Sequence, residues 1–262
     1  MKIAILYICT GKYSQFFQKF HQSAKEHFLK GIADIEYFVF TDMPDLSNSD
    51  DVHIIPKECL GFPMDAVFRF HTLLTVEDMV KDFDYVYFFN SNALFIQDVG
   101  KEILPLDSES FIGSRWPRRK PFNLPMFFPY ERNKQSTAYI PPRESQKYIY
   151  YMSGFYGASP QAFFKKYHIL DANTQTDYQK GIIAIFHDES HTNKYFRQVH
   201  CKLLPDGYCL PEEWATDKTD THILFRNKVA IDPYFNKGIK NSFGERFKKG
   251  FRIVHRAISW YL

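Results

Sequence analysis

Five consecutive residues, His187-Asp188-Glu189-Ser190-His191, bring two imidazoles and two carboxylates together, the densest group of reactive side chains in the sequence. His187 and His191 are four positions apart, so on a helix they would share a face, the ligand spacing of a zinc hydrolase. That motif sets its glutamate base directly after the first histidine, a place held here by Asp188, and no third ligand accompanies the pair. The plainer reading is a helix start, where Asp188 and Glu189 favour the positive end of the macrodipole. It accounts for the carboxylates but not for the flanking histidines.

A second polar group lies at the end of the most apolar strand signal, in the stretch "YVYFFNSNALF" of residues 85–95. Asn90-Ser91-Asn92 interrupts an aromatic run, and apolar chain resumes at once. The elements around it alternate. "KIAILYIC" predicts a strand, "YSQFFQKFHQSAKEHFL" a helix with apolar residues at helical spacing, and "DIEYFVFTD" and "VHIIP" two more strands. A helix is predicted over 64–82, ahead of the strand that ends in Asn90-Ser91-Asn92. This is an α/β layer, in which ligands bind outside the carboxyl ends of the strands. Thr10-Gly11, Thr41-Asp42 and Asn90-Ser91-Asn92 all fall at such ends.

The second half is less regular. Residues 115–133 read as a Pro-, Arg- and aromatic-rich loop, 147–160 as a Tyr/Phe strand broken by Ser153-Gly154 and Gly157, and 160–168 and 176–185 as helices. Of 262 residues, 45% are hydrophobic and 18% aromatic, which excludes general disorder and supplies surfaces for flat ligands or sugar rings. Cys9, Cys59, Cys201 and Cys209 form no CxxC pair and read as reduced thiols, with a Cys201–Cys209 disulfide as the alternative. The N-terminal apolar run is too short to span a bilayer and lacks a cleavage pattern, so a cytoplasmic protein is expected.

"HDESHTNKYF", "PYERNKQSTAYIP", "YYMSGFYGASP" and "YFVFTD" together resemble glycosyltransferase family 6, that of the blood-group A and B transferases and the α1,3-galactosyltransferases. The resemblance runs in order over residues 3–215. It implies a GT-A fold, a single Rossmann-like nucleotide-sugar domain with a mixed sheet over residues 1–236. It also implies transfer of galactose or N-acetylgalactosamine from a UDP-sugar to the 3-hydroxyl of a β-galactoside, with retention.

On this resemblance Glu189 is the catalytic carboxylate beneath the anomeric carbon, suited to an oxocarbenium-like centre. Asp188 holds donor-sugar hydroxyls, Arg69 braces the donor region, and Asn90 and Asn92 face the diphosphate and sugar. Met152, Ser153 and Gly154 match the stretch that selects the donor. Gly154 leaves room for an acetamido group and favours UDP-GalNAc, while Met152 resembles the galactose-type enzyme and keeps UDP-Gal as the alternative. Tyr7, Cys9 and Tyr13 fall at the uracil and ribose, with Arg226 and Lys228 in a segment that folds over UDP and Lys237 and Lys240 beyond. Trp116, replacing a histidine of the blood-group enzymes, His187 and Glu212 or Glu213 line the acceptor side.

GT-A enzymes normally carry Asp-x-Asp where this chain has Asn90-Ser91-Asn92. Carboxamides are neutral and bind hard divalent cations far more weakly than carboxylates. No metal and no other cofactor is therefore expected, Mn²⁺ or Mg²⁺ being the alternative; basic side chains would meet the diphosphate charge, as in bacterial Asn-x-Asn members of the family.

Residues 237–262 hold seven Lys/Arg and one Glu, a charge of +6 against −3 for the rest. Phe243, Phe247, Phe251, Val254, Ile258 and Tyr261 recur at helical spacing, so the tail reads as a basic amphipathic helix for an anionic membrane surface. A helix docked on the catalytic domain, or a dimer contact, is the alternative. The expected partners are a UDP-sugar and a glycan or lipid-linked oligosaccharide at the inner face of a bacterial inner membrane, with no nucleic acid. Removing 241–262 would then solubilise the protein without abolishing UDP-sugar hydrolysis. From another class, a nucleotide-sugar or glycan-binding protein without catalysis stays open, though it would have no need of Glu189.

Overall fold

The computed structural model describes residues 1–116, 124–143, 147–215, 219–236 and 243–261, with side chains in the last segment described for 250, 251 and 253–261. Strand β1 (Lys2–Ile8) lies between β2 (Asp34–Thr41) and β4 (Tyr85–Phe89), parallel to both, and β3 (Val52–Pro56) extends the parallel part beyond β2. Period-two alternation divides β1 between two cores. Ile3, Ile5 and Tyr7 join Phe17 and Phe20 on one face, and Ala4 and Leu6 join Phe70 and Leu73 on the other. Both faces are covered, which is why the strands read as near-continuous apolar runs.

Helix α1 (Phe17–His27) covers the first face, entered through a 3₁₀ turn at Gly11–Phe16. Gly11 opens that turn at φ +53, a conformation that suits glycine, and its N–H donates to Asp42. Over 64–82 the structure has three short helices instead of one: α2 (Met64–Val67), α3 (Arg69–Leu74) and α4 (Glu77–Val80). The interruptions fall at Phe68 and at Thr75–Val76, where ψ opens to 16 at Phe68 and 9 at Val76 and Thr75 returns both its N–H and its hydroxyl to the Thr72 carbonyl three residues back.

After the short β5 (Ala93–Phe95), the sheet continues through β6 (Phe111–Arg115), β7 (Tyr151–Ala158) and β8 (Cys201–Leu204) to give seven strands in the order β3-β2-β1-β4-β7-β6-β8. β7 runs antiparallel to β4 and β6, so the sheet is mixed as expected. Helix α5 (Pro160–Gln179) is continuous where two helices were predicted. Its weak helix formers Thr174 and Thr176 bond back to Leu170 and Ala172, and burial of Phe163, Tyr167 and Leu170 outweighs their propensity. Helix α6 (His187–Tyr195) packs on β7, and β8 forms the sheet's far edge. β9 (Leu210–Pro211) and β10 (Ile223–Phe225) form a small sheet with β5, and α7 (Lys228–Ile231) follows.

The four cysteines are free, which removes the disulfide alternative. The expected boundary at 236/237 abuts 237–242, outside the described residues, as are Lys237 and Lys240. Beyond it α8 (Phe243–Ser259) is a helix, as the spacing predicts, and its end is docked: Ala257 and Trp260 are buried while Phe251, Val254 and Ile258 are exposed. No helix among the described residues is long and apolar enough to cross a membrane.

Candidate active site

Asn193 aligns α6 on β7. Its carboxamide accepts from the Tyr151 N–H at 2.8 Å and donates to the Tyr151 carbonyl at 2.9 Å. One turn earlier, Glu189 faces the same strand. Its Oε1 accepts from the Tyr150 hydroxyl at 2.5 Å, and its Oε2 from the Ser153 N–H at 3.0 Å and hydroxyl at 2.8 Å. The Ser153 N–H is available because β6 and β7 slip register, Gly113 opposing Tyr156 but Ser114 opposing Met152. These donors are all neutral. Burial holds the Glu189 carboxyl above its ordinary range, although the bonds from Tyr150 and Ser153 pull it down.

Asp188 turns the other way. It is buried and accepts from Arg69 Nη1 at 2.5 Å, and the Arg69 guanidinium stacks 4.8 Å from the Phe88 ring centroid. Burial works against the guanidinium charge, and the Asp188 carboxylate, with Tyr156, Tyr167 and Glu189 behind it, more than offsets it, raising the Arg69 pKa. His187, at φ 48, sets its ring edge-on to Phe62 at 5.0 Å. His191 is buried between Thr137, 3.4 Å away, and Asp177, 3.9 Å away, and burial lowers its pKa. The two imidazoles thus serve different walls, and no group of three potential ligands occurs among the described residues, so the zinc arrangement is not formed.

Arg69 and Phe62 also line a cavity of about 660 Å³ outside the carboxyl ends of β1 and β4. Ile8, Thr10, Lys12, Tyr13, Asn90, Ser91, Asn92 and Lys228 complete much of its wall. A smaller cavity of about 310 Å³ shares Asn90, Asn92 and Lys228 and adds Met152, Glu213 and Arg226. Such volumes suit a nucleotide-sized ligand and an adjoining sugar. The C-terminal segment closes over this cleft: Phe235 packs 4.8 Å from Tyr13, Asp232 pairs with Lys12 at 3.3 Å, and Lys228 sits 5.3 Å over the Tyr13 ring. Asn92 fastens it, its Nδ2 donating to the Arg226 carbonyl and its own carbonyl accepting from the Arg226 N–H, both at 2.8 Å.

A family profile for glycosyltransferase family 6 matches residues 1–230. The chain belongs to glycosyltransferase family 6. It is therefore a transferase, and its mixed sheet is that family's GT-A-like fold. It is 33% identical over 238 residues to the O-antigen biosynthesis glycosyltransferase WbnI of Escherichia coli, covering 90% of this chain and 99% of that one. Identity to the globoside alpha-1,3-N-acetylgalactosaminyltransferase 1 of Gallus gallus is 29%, covering 79% of this chain and 61% of the relative. For the histo-blood group ABO system transferase 1 of Rattus norvegicus it is 31%, covering 74% and 56%. The chain thus spans nearly all of the bacterial relative and under two thirds of the animal ones.

Against the family pattern, Arg69, Asn90, Asn92, Tyr13, Arg226, Lys228 and Met152 meet at the cleft, and Asp188, Glu189 and Ser153 lie directly behind it. Tyr7 and Cys9 do not line it. Both are fully buried, Tyr7 donating to the Ser91 carbonyl at 2.6 Å, and burial pushes the Cys9 thiol up to about 12. Strand parity turns them into the core and leaves Ile8 on the wall. Gly154 needs its own correction: a Cβ there would meet the Phe225 ring at 2.7 Å and Cys209 Sγ at 2.8 Å, so the glycine makes room for the protein's own packing, not for a donor substituent. Glu212 accepts from the Asn227 N–H at 2.7 Å, while exposed Glu213 lines the smaller cavity. Trp116 stands 5.7 Å from the Tyr150 ring and 6.2 Å from Trp214, an aromatic surface beside Glu189's hydrogen-bond donor.

Sequence reasoning missed Tyr150, Asn193, Lys12 and Trp214. Tyr150 and Asn193 lay inside quoted motifs but read as strand and helix filler. Lys12 follows the turn glycine after β1, a position that faces the cleft by strand-end geometry alone.

Proposed function

We propose that the chain is a retaining α1,3-glycosyltransferase that moves N-acetylgalactosamine from UDP-GalNAc to a β-galactoside, Fucα1,2Gal, of a bacterial surface glycan. One observation carries this reading: Glu189 stands behind the cleft with its carboxylate oxygens hydrogen-bonded, among the described residues, by neutral donors. As the bond from the anomeric carbon to UDP breaks, its electrons leave with the β-phosphate and positive charge develops on the sugar. A carboxylate whose charge is not already neutralised can meet it from beneath. The acceptor hydroxyl then enters on the face UDP left, giving its proton to the departing diphosphate, whether it displaces a Glu189 bonded to the carbon or collapses an ion pair that Glu189 shields. UDP-Gal is the second reading, favoured because Met152, the galactose-type residue, lines the smaller cavity while Gly154 faces Phe225 and Cys209. The name of the Gallus gallus relative favours the acetamido sugar.

The residues at the strand end do not fit a divalent metal. Asn90 and Asn92 bring no charge, and the Asn92 amide nitrogen is turned to the Arg226 carbonyl, a bond a carboxylate could not donate. Transfer is accordingly metal-independent in this proposal, with Lys12, Arg226 and Lys228 meeting the diphosphate charge. Transfer from UDP-GalNAc and UDP-Gal to Fucα1,2Gal and to plain β-galactoside, with and without EDTA, tests donor, acceptor and metal together. Activity lost in EDTA and restored by Mn²⁺ would sink the metal-independent reading, and no transfer under any condition would leave a non-catalytic binding protein.

The enzyme is further proposed to sit peripherally on the cytoplasmic face of an anionic membrane through α8. Exposed Phe251, Val254 and Ile258 share one helix face, and the same helix carries Arg246, Lys248, Lys249 and Arg252. Sedimentation with phosphatidylglycerol vesicles but not with phosphatidylcholine vesicles is the expected outcome.

A further inference from the structure

The C-terminal end of α8 reaches toward the catalytic carboxylate. Trp260 is 4% exposed and belongs to a small core cluster with Phe128, Tyr130, Ile140 and Tyr150. Its indole N–H donates to the Ile140 carbonyl at 2.8 Å, and its ring lies 6.0 Å from Tyr130. Arg256, one turn earlier, donates to the Tyr130 carbonyl. Tyr130 in turn packs 5.6 Å from the Tyr150 ring and donates its hydroxyl to the carbonyl of Ile149 at 2.7 Å, holding the chain immediately before Tyr150. Tyr150 donates to Glu189. This path begins at residues beyond 230, where the family match ends.

We propose that Trp260 and Arg256 are positioning residues for catalysis, fixing Tyr130 and through it the Tyr150 hydroxyl against Glu189. The inference rests on Glu189 being the catalytic carboxylate. A displaced Tyr150 leaves the carboxylate short of a donor and free to rotate, and sub-ångström misplacement of a catalytic group is costly. The donor cleft is lined by neither Trp260 nor Arg256, so UDP binding does not depend on them. The tail is therefore not detachable without effect: removing 241–262 takes both residues with it and is expected to lower turnover as well as to solubilise the protein.

The test is a double-mutant cycle in the full chain, reading kcat for transfer and UDP affinity by calorimetry. Trp260→Ala is expected to lower kcat about ten-fold, with UDP affinity unchanged, and Trp260→Phe to recover most of the loss. In a Tyr150→Phe background Trp260→Ala should cost nothing further. An equal loss in both backgrounds, an unchanged kcat in folded Trp260→Ala, or a matching loss of UDP affinity overturns the proposal. Should Trp260→Ala not fold, Arg256→Met enters the same cycle with the same outcomes. Glu189→Gln is the control: transfer that survives it overturns the catalytic reading and this one with it, whereas its loss beside an additive cycle overturns the positioning role alone.

Discussion

Asp188 and Glu189 are adjacent in sequence yet are held by opposite means on the two sides of α6. On the α3 side, Asp188 meets a full positive charge, the Arg69 guanidinium. On the β7 side, Glu189 meets a phenol, a serine hydroxyl and a backbone N–H. A carboxylate neutralised by a buried arginine has little charge left to offer a cation. One solvated by neutral dipoles keeps its charge and carries the desolvation cost. With Glu189 as the proposed catalytic carboxylate, the charge left unpaired by a cation lies on the β7 side of the helix.

Removing each charge should break this symmetry of position most visibly. Glu189→Gln is expected to lower transfer about 10²–10³-fold or more while leaving UDP binding intact and raising the melting temperature at neutral pH. The sign follows from its raised pKa: folding favours the protonated form, so this group's contribution to stability is present at low pH and lost as pH rises through the folded pKa. A neutral glutamine removes that penalty. Asp188→Asn should do the reverse, leaving the buried Arg69 guanidinium without its anion at a cost of about 3–5 kcal/mol. Chemical denaturation checks both, and equal stability losses in the two variants would refute the contrast.

The two sides also differ in how far sequence alone reveals them. β1 and β4 were legible because both their faces are buried, and the apolar run has no other use. Glu189 was singled out through its motif. Its donors were not, because Tyr150 lies 39 residues away and Ser153 is freed only by the slip between β6 and β7. Face parity is equally invisible in composition: Tyr7 and Cys9 sit at the right strand end but point inward, and Gly154 points at Phe225. The breaks of the 64–82 helix fall at Phe68 and Thr75–Val76, single-residue changes of ψ that apolar periodicity does not register.

Tyr150→Phe probes the neutral side with a smaller change. It removes one hydrogen bond to a charged group, worth about 1.5–3 kcal/mol, and turnover should fall in that proportion at neutral pH. The Tyr150 hydroxyl pulls the Glu189 pKa down, so its loss should move the acidic limb of the kcat–pH profile upward. Arg69, Asp188 and Ser153, which also face Glu189, are untouched by the substitution. A loss of rate with no movement of that limb would mean that Tyr150 orients the carboxylate without solvating its charge.

Lys166 extends the comparison to a third buried ionisable group, one with neither device. Its side chain is fully buried on α5, and its Nζ lies 3.5 Å from the Tyr156 ring centroid and 4.4 Å from that of Phe196. It has no hydrogen-bond partner among the described residues, and burial drives its pKa well below the ordinary lysine value. Ring faces attract an ammonium, but by about 2 kcal/mol at most sites of this kind, less than the cost of removing it from water. Lys166→Met, similar in length and apolar, is therefore expected to stabilise the fold by about 1–3 kcal/mol at neutral pH. With the folded pKa depressed, the unfolded chain binds the additional proton, so wild-type stability rises with pH and the advantage of methionine shrinks toward the ordinary lysine pKa. Urea unfolding of both proteins at neutral and alkaline pH reads that difference. A destabilised methionine variant would show that the amine is held charged by its aromatic cage, making Lys166 a paired group like Asp188 and not a tolerated cost.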